Sequence, residues 1–293
     1  MFLYYGKIVV FWYFKGIDSM TQKEAVVLTL ERLGGIATLG QLKQEVFKIK
    51  ECKWGTKTPF ASVRNIVQLD ERIYKIKPGL YGLKAFQKQH EQNGIIVETK
   101  ENATSKEIQV FNRSYYQGIL VTIGNLKNLL TFVPQQDKNK SFLNQKLSDI
   151  RTLNEIPQFS YENFVKRAST IDVIWFNQRK MPDSFFEIES TTDIQDSLLK
   201  FNDLQDFSAR MIIVADEHRK TEFQSKLAYT SFKDLRENKR VVFLDYNSLI
   251  KQYEYILQKN TYGVILWWQK LKKISQMRKK HYIKKYKIYS WNP

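Results

Sequence analysis

The sequence predicts an α/β domain with a mixed β-sheet, preceded by a smaller domain of three helices and a β-hairpin. Two apolar runs, at residues 211–215 and 240–244, have the length and the β-branched content of buried strands. Helical segments around 220–227 and 248–257 separate and follow them, and such alternation is typical of α/β domains. With 293 residues, 43% of them apolar, the chain is long enough for two domains that each have a core.

Residues 1–19 are predicted to be an appended extension, with Met20 as the natural first residue. This segment is apolar, but it is aromatic and interrupted, and it lacks the basic start and the small-residue cleavage site of a signal peptide. No apolar run in the chain reaches the roughly 18–20 residues of a membrane span. We therefore expect an intracellular, cytoplasmic protein without a membrane partner.

Three helices are predicted in residues 20–86, and each opens with a recognisable start signal. A threonine followed three residues later by a glutamate is a capping box, in which each side chain accepts a hydrogen bond from the other residue's backbone. A proline in the first turn is favourable because the N–H groups there have no partner inside the helix. The start signals are the capping box of Thr21 and Glu24 for the first helix, Thr38 for the second, and Thr58 with Pro59 for the third.

A β-hairpin is predicted after the third helix, with strands at 72–76 and 80–83 and a basic tip at 77–79. Three helices followed by a hairpin resemble a winged helix-turn-helix, and this resemblance makes 20–86 a DNA-binding domain. In that fold the third helix enters the major groove, while the wing contacts the DNA backbone or the minor groove. The alternative is a winged helix that contacts proteins. The resemblance implies DNA contacts by Lys57, Ser62, Arg64, Asn65, Lys75 and Lys77, the last two on phosphates.

The second domain is expected to span 110–258, after a linker. Residues 87–109 are polar except for a short apolar run, and they are predicted to be this linker, with one short strand. Within the second domain we predict an early strand at 116–121, a helix at 140–153 and a short helix at 161–166.

Two runs rich in β-branched and aromatic residues, 170–176 and 185–189, are predicted to be neighbouring strands, because 181–184 breaks the pattern between them. Side chains alternate along a strand, so Glu187 and Glu189 share one face. The alternative to a functional role is that these two glutamates lie on the water-facing side of an antiparallel sheet.

Asp172 is the sole acid in the first of these two strands. In the register that buries its apolar neighbours Ile171, Val173 and Trp175, it joins the two glutamates at one end of the sheet. Three carboxylates repel each other unless a cation lies among them, and oxygen ligands favour Mg²⁺. The pattern therefore predicts a Mg²⁺ site suited to the hydrolysis of a phosphodiester.

Asp172, followed after a spacer by Glu187-Ile188-Glu189, resembles the Asp…(Asp/Glu)-x-Lys signature of the restriction-endonuclease-like, or PD-(D/E)XK, nucleases. The implied fold is a mixed sheet flanked by helices. The resemblance implies that Asp172, Glu187 and the Ile188 carbonyl bind the metal. Glu189 stands where the signature has lysine, as in some restriction enzymes of this fold. It is expected to assist a second cation or to orient the attacking water.

The helix that follows, expected over 192–207, lies where this family places one. Its predicted capping box starts at Thr192, and Gln195 in its first turn is a candidate catalytic residue. Lys200 falls outside the apolar stripe and is predicted to be a surface residue, although in some members of the superfamily a lysine migrates to this helix. Two further acids are candidates for the site or for exposed helix surface: Glu155 and Glu162.

The formal net charge is +17, and its distribution indicates a polyanionic partner. Residues 110–250 carry 19 Lys and Arg against 18 Asp and Glu, whereas residues 21–109 carry 15 against 10. The last 33 residues carry nine basic residues and no acid, and 259–293 is predicted to be a basic tail. A single cysteine excludes an intramolecular disulfide, and three scattered histidines give no sign of a zinc site.

These patterns and resemblances predict a Mg²⁺-dependent DNA endonuclease of restriction type that recognises double-stranded DNA through the winged helix. A homodimer is expected because cleaving both strands usually needs two active sites, and a cognate methyltransferase follows from the same resemblance. Two alternatives stay open: a non-catalytic DNA-binding regulator on a degenerate nuclease fold, and a nuclease directed at RNA.

Overall fold

The computed structural model of the protein describes four stretches of the chain, residues 20–99, 101–102, 105–190 and 193–259. The expected N-terminal extension, the basic tail from residue 260 onward and the expected cap Thr192 lie outside the described residues. We call residues 20–86 the N-terminal unit and the described residues of 105–259 the sheet unit. None of the described helices is both long and apolar enough to cross a membrane.

The N-terminal unit contains three helices and a small antiparallel sheet. The elements are α1 Gln22–Arg32, α2 Leu39–Glu45, α3 Pro59–Leu69, β1 Ile36–Thr38, β2 Ile73–Lys77 and β3 Leu80–Leu83. The strands lie in the order β1-β3-β2. Apolar side chains from all three helices, among them Leu30, Leu42 and Val63, form one core with the sheet. The predicted three helices and hairpin are confirmed.

The predicted start signals of α1 and α2 are confirmed, whereas that of α3 is wrong in part. Thr21 Oγ1 accepts a hydrogen bond from the Glu24 N–H at 3.2 Å, and Glu24 Oε2 accepts one from the Thr21 N–H at 2.9 Å. Thr38 makes the same kind of capping box in α2. Pro59 lies in the first turn of α3, but the Thr58 side chain does not cap that helix.

The sheet unit is built on a five-stranded mixed sheet. The strands after β3 are β4 Leu130–Phe132, the short pair β5 Ser141–Phe142 and β6 Gln145–Lys146, then β7 Val173–Phe176, β8 Pro182–Glu189, β9 Arg210–Ala215 and β10 Val241–Asp245. The large sheet has the order β10-β9-β8-β7-β4. Neighbours among β4, β7 and β8 are antiparallel, and neighbours among β8, β9 and β10 are parallel. The predicted α/β class with a mixed sheet is confirmed.

Helices cover both faces of the large sheet. The helices after α3 are α4 Gln87–Gln92, α5 Lys106–Leu126, α6 Leu147–Ile150, α7 Glu162–Ala168, α8 Ile194–Asp203, α9 Lys220–Leu227, α10 Lys233–Glu237 and α11, which covers residues 246–259. α5 and α11 share a core with Val173, Phe186 and Ile188. α8, α9 and α10 share the opposite core with Phe185 and Met211. Successive residues of β8 therefore face different layers, and the acids of β8 face the α8 side.

The predicted strand at 116–121 is wrong, because these residues lie inside α5. α5 is buried along most of its length, so its sequence is apolar without a clear stripe and resembles a buried strand over a short stretch. The predicted linker at 87–109 is also too long. α4 and the start of α5 fall within it, and the buried Ile95 belongs to the core that includes α5.

The predicted helix at 140–153 is also wrong, since the chain there forms the hairpin of β5 and β6 and then α6. At the hairpin turn, the Asn144 amide donates a hydrogen bond to the Leu33 carbonyl at 2.5 Å. Phe142 packs directly on Gly118 of α5, where an added Cβ would lie 2.1 Å from its ring. These tertiary contacts override the local helical pattern.

The N-terminal unit packs on the sheet unit through α11. Gln44 Nε2 donates a hydrogen bond to the Leu257 carbonyl at 3.2 Å, and Lys43 forms an ion pair with Glu254 at 3.0 Å. Gly40 of α2 lies so close to Leu257 that an added Cβ would be 2.5 Å from that side chain. The close approach of α2 to α11 fixes the position of α2 relative to the sheet unit.

Candidate active site

The acid predicted in the first of the paired strands lies just before β7. Asp172 is 1% exposed, and its Oδ2 accepts a hydrogen bond from the Ile188 N–H of β8 at 2.8 Å. The two strands pair with Val173 opposite Phe186. This register brings Asp172 alongside residues 187–189, as expected, although the strand begins at Val173 and not at residue 170.

Glu187 and Glu189 share one face of β8, as predicted, and this face is buried. Glu187 is 2% exposed and Glu189 is 4% exposed, so the alternative of a water-facing Glu-x-Glu strand is wrong. Ser197 of α8 links the two acids. Its Oγ lies 3.1 Å from Glu187 Oε2 and also within hydrogen-bonding distance of Glu189 Oε1.

Lys200 belongs to this group of side chains, which corrects its predicted place on the surface. Its Nζ lies 3.0 and 2.9 Å from the two carboxylate oxygens of Glu187, and 3.2 Å from the Thr170 carbonyl oxygen. The backbone of Lys200 is outside the apolar stripe of α8, but the flexible four-carbon stem of a lysine reaches beyond its own position on the helix. Ser197, three residues earlier on α8, is the sequence signal for a polar side of this helix.

Two residues of α5 complete the group, and sequence analysis missed both. Arg113 Nη2 pairs with Asp172 Oδ1 and lies 3.8 Å from Asp137 Oδ2. One helical turn later, Gln117 Nε2 donates to Asp137 Oδ2 at 2.8 Å and to the Asp172 carbonyl oxygen at 3.1 Å. Asp137 is itself buried, and it pairs with Lys140 at 2.6 Å. The erroneous strand prediction hid the i,i+4 spacing that places both residues on one side of α5.

Burial makes the charged forms of these acids costly. Burial and the nearby Asp172 charge raise the pKa of Glu187 to about 8, against the opposing effect of Lys200. Burial also raises the pKa of Asp172, although the Arg113 guanidinium opposes this shift. A further cation beside the two acids would stabilise both as carboxylates.

Asp172 and Glu187 fit a hard divalent cation such as Mg²⁺, because both offer carboxylate oxygens and their mutual repulsion raises the pKa of Glu187. Within the described ranges, no group of three or more His, Cys, Asp or Glu side chains has the arrangement of a metal site. The expected convergence of three carboxylates on one ion is therefore not found there. Two carboxylates are sufficient in principle, since Mg²⁺ usually keeps several waters and binds substrate oxygens.

Three other predicted site residues lie elsewhere. Gln195 lies in the first turn of α8, where its N–H donates a hydrogen bond to the Asp193 side chain, and its Oε1 accepts a hydrogen bond from Lys226 at 3.2 Å. Glu155 and Glu162 are exposed. This matches the alternative of exposed helix surface for Glu162, whereas Glu155 lies in a loop. The additional acid near this site is Asp137, 3.8 Å from Arg113, which the sequence did not identify as a site residue.

The residues predicted to contact DNA differ in exposure. Lys57, Arg64, Asn65 and Lys75 are exposed, and Ser62 is half-buried. Arg64 pairs with Glu254 of α11 at 3.3 Å. Lys77 is buried and pairs with Glu98 at 3.1 Å and with Asn112. This corrects the expected free basic tip of the hairpin: the pairing register of β2 shifts just before Lys77, which turns that side chain towards α5.

A family model described as the type II restriction enzyme NmeDI C-terminal domain matches residues 95–266. The match covers more than half of the chain, and all the acids and bases grouped around Asp172 lie within it. The chain belongs to this family. The N-terminal unit precedes the matched region, whereas α5, the large sheet and α8 are inside it.

A relative is the type II restriction enzyme NmeDI of Neisseria meningitidis serogroup C, which is 23% identical over 175 residues. The aligned region is 52% of this chain and 50% of the relative, so the chain spans about half the length of that curated protein. No solved structure matches the chain.

Proposed function

We propose that the chain is a metal-dependent DNA endonuclease of restriction type. The observation that carries this proposal is the buried group of Asp172, Glu187 and Lys200, in which two carboxylates from adjacent strands meet one lysine. Buried charges lower stability unless they are well paired, so such a group indicates a functional site. Its location inside the region that matches a restriction enzyme family supports hydrolysis of DNA.

The order of these groups along the chain supports a site of the PD-(D/E)XK type. Asp172 precedes one strand, Glu187 and Glu189 lie on the next antiparallel strand, and a helix follows. Glu189 holds the signature's lysine position, but Lys200 brings an ammonium group to Glu187 from α8. We infer that the lysine is retained in space although it is displaced in sequence.

Asp172 and Glu187 would hold Mg²⁺, with the Ile188 carbonyl as a third candidate ligand. When bound, the ion supplies Lewis-acid stabilisation of the phosphate and lowers the pKa of a water. Lys200 would stabilise the negative charge that develops on the scissile phosphate. Glu189 would orient the attacking water, because the Ser197 hydroxyl holds it beside Glu187.

We further propose that the N-terminal unit, residues 20–86, is a winged-helix domain that positions double-stranded DNA for a nuclease domain at 110–258. The order α1, β1, α2, α3, β2, β3 supports this assignment. Arg64 and Asn65 are exposed on α3, the helix that would enter the major groove. DNA would have to compete with Glu254 for the Arg64 guanidinium.

The remaining partners follow from this function. Cleavage of both strands would need two sites, so we propose a homodimer, and protection of the cell's own DNA would need a cognate methyltransferase. Both proposals, like the intracellular location, depend on the restriction activity itself.

The function is tested by nicking of supercoiled plasmid by the purified protein across a Mg²⁺ titration. Asp172→Asn and Glu187→Gln keep the side-chain shape but remove a charged ligand. We expect each to lower the cleavage rate by about 10²–10³-fold, the usual effect of losing one electrostatic group in an active site. Glu162→Gln, which changes an exposed acid of α7, should cleave like the wild type.

Each result of this assay has a distinct meaning. Near wild-type cleavage by both site variants would contradict the assignment of the acids. DNA binding by the wild type without Mg²⁺-dependent nicking would favour the non-catalytic regulator. If the protein preferentially cleaves duplex RNA offered in the same reaction, the substrate is RNA and the assignment of the site residues stands.

A further inference from the structure

The two carboxylate oxygens of Asp172 have different kinds of partner. Oδ2 accepts the backbone N–H of Ile188 at 2.8 Å, a bond that belongs to the packing of β7 on β8. Oδ1 pairs with the side chain of Arg113. A side chain can rotate away, whereas a strand backbone cannot, so Oδ1 is the oxygen that can be released to a metal. Arg113 and the proposed metal therefore compete for one oxygen.

A second anion lies within reach of the same guanidinium. Asp137 Oδ2 is 3.8 Å from Arg113 Nη2. Gln117 at 2.8 Å and Lys140 at 2.6 Å hold the Asp137 carboxylate in place. A small rotation of Arg113 would exchange Asp172 for Asp137, so the arginine would not become an unpaired charge in a buried site.

Arg113 also has unused capacity for a ligand. Its side chain is 32% exposed, whereas the side chains of Asp172 and Asp137 are 1% and 2% exposed. A guanidinium that is partly exposed at the edge of a buried carboxylate site has the chemistry to donate hydrogen bonds to a phosphate.

We propose that Arg113 is an exchangeable clamp. It holds Asp172 in the metal-free protein, turns to Asp137 when the metal binds, and then contacts the scissile phosphate. This inference rests on the proposed nuclease function. It adds a residue that couples metal binding to binding of the scissile phosphate.

The test measures metal binding and cleavage separately on the full chain. Binding of Mn²⁺ without DNA is followed by electron paramagnetic resonance, and plasmid nicking is measured at saturating Mg²⁺. Arg113→Gln removes the competing charge, so we expect Mn²⁺ to bind about tenfold more tightly, which is the effect of one nearby charge on a carboxylate. Cleavage should fall about tenfold or more, because the phosphate loses a donor.

Opposite signs of these two changes distinguish the clamp from a structural role, which would weaken metal binding and cleavage together. Arg113→Lys keeps the charge but loses the planar fork, so it should bind Mn²⁺ like the wild type and cleave more slowly. This variant also decides the matter if Arg113→Gln does not fold: wild-type cleavage by Arg113→Lys would overturn the proposal. Arg167→Gln, which breaks a surface pair with Asp203, is the matched control and should change neither readout.

Failure of this inference can be told apart from failure of the proposed function. Glu187→Gln should weaken Mn²⁺ binding if the metal site is correct, and unchanged binding would contradict the site itself. If Glu187→Gln weakens binding but Arg113→Gln does not tighten it, the clamp is wrong and the metal site stands.

Discussion

The two units of the protein place their charged side chains in opposite ways. In the sheet unit, four acids that are at most 4% exposed are grouped with bases from α5 and α8; these acids are Asp137, Asp172, Glu187 and Glu189. In the N-terminal unit, most charged side chains lie at the surface. Three charged side chains of this unit are buried instead. Lys43 and Lys77 lie where the unit meets the rest of the chain, against Glu254 and Glu98, and Asp70 pairs with Arg72.

This difference predicts how each unit responds to substitution. A surface ion pair contributes about 0–1 kcal/mol, because water and salt screen it. A buried pair costs about 3–5 kcal/mol when one partner is removed, because the other charge is left uncompensated. Substitutions in the acidic group of the sheet unit should therefore cost more stability than substitutions on the surface of the N-terminal unit.

The largest effect is expected for Lys200→Met, which keeps the stem of the side chain and removes its charge. Glu187 would lose the cation that lies 2.9 Å from its carboxylate, and the phosphate would lose a stabilising charge. We expect plasmid nicking to slow by about 10²–10³-fold, with the circular dichroism spectrum unchanged. Lys233→Met, at an exposed lysine of α10, is the control. If Lys200→Met nicks plasmid at the wild-type rate, this lysine does not take part in cleavage.

A smaller effect is expected for Glu189→Gln. The amide oxygen can still accept the Ser197 hydroxyl, so the packing is kept and the charge is lost. We expect the nicking rate to fall by about 10–100-fold, as for other residues that support a metal site. Glu189→Lys recreates the commoner signature, but it should not restore activity, because Lys200 already lies at Glu187 and a second ammonium group would repel it. Full activity of Glu189→Lys would show that the lysine position on β8 is functional in this chain.

The features that could be predicted from sequence are those that depend on neighbours along the chain. Glu187 and Glu189 share a face because strand side chains alternate, whatever surrounds them. Thr21 and Glu24 cap α1 because both partners lie within one helical turn. The class of the sheet unit followed in the same way from apolar runs that alternate with helices.

The features that were missed depend on parts of the chain that are far apart in sequence. Arg113 is 59 residues from Asp172, and no local pattern indicates their pairing. α5 is buried on most of its circumference, so the stripe that would reveal a helix is absent. Lys200 was misplaced because helical spacing predicts where a side chain starts and not where its end group lies. The hairpin tip was misplaced because a register shift precedes Lys77.

The smallest effect on function concerns two lysines of β2. Lys75 is exposed and Lys77 is buried, although residues two apart on a regular strand would point to the same side. If Lys75 contacts a phosphate, Lys75→Gln should lower the slope of log affinity against log salt by about one unit, for all duplex sequences alike. Lys77→Gln should leave that slope unchanged. It should instead lower the free energy of unfolding by about 1–3 kcal/mol, because Glu98 and Asn112 lose their shared partner.

Fluorescence anisotropy with a labelled duplex at several salt concentrations, and urea unfolding of both variants, measure the two effects. These two lysines lie on the same strand and carry the same charge, so the comparison tests the effect of their different exposure. If both variants lower the slope of log affinity against log salt by the same amount, Lys77 leaves Glu98 and contacts a phosphate when DNA binds. The hairpin would then have to separate from α5, and a buried ion pair would take part in the proposed DNA contacts of the N-terminal unit as well.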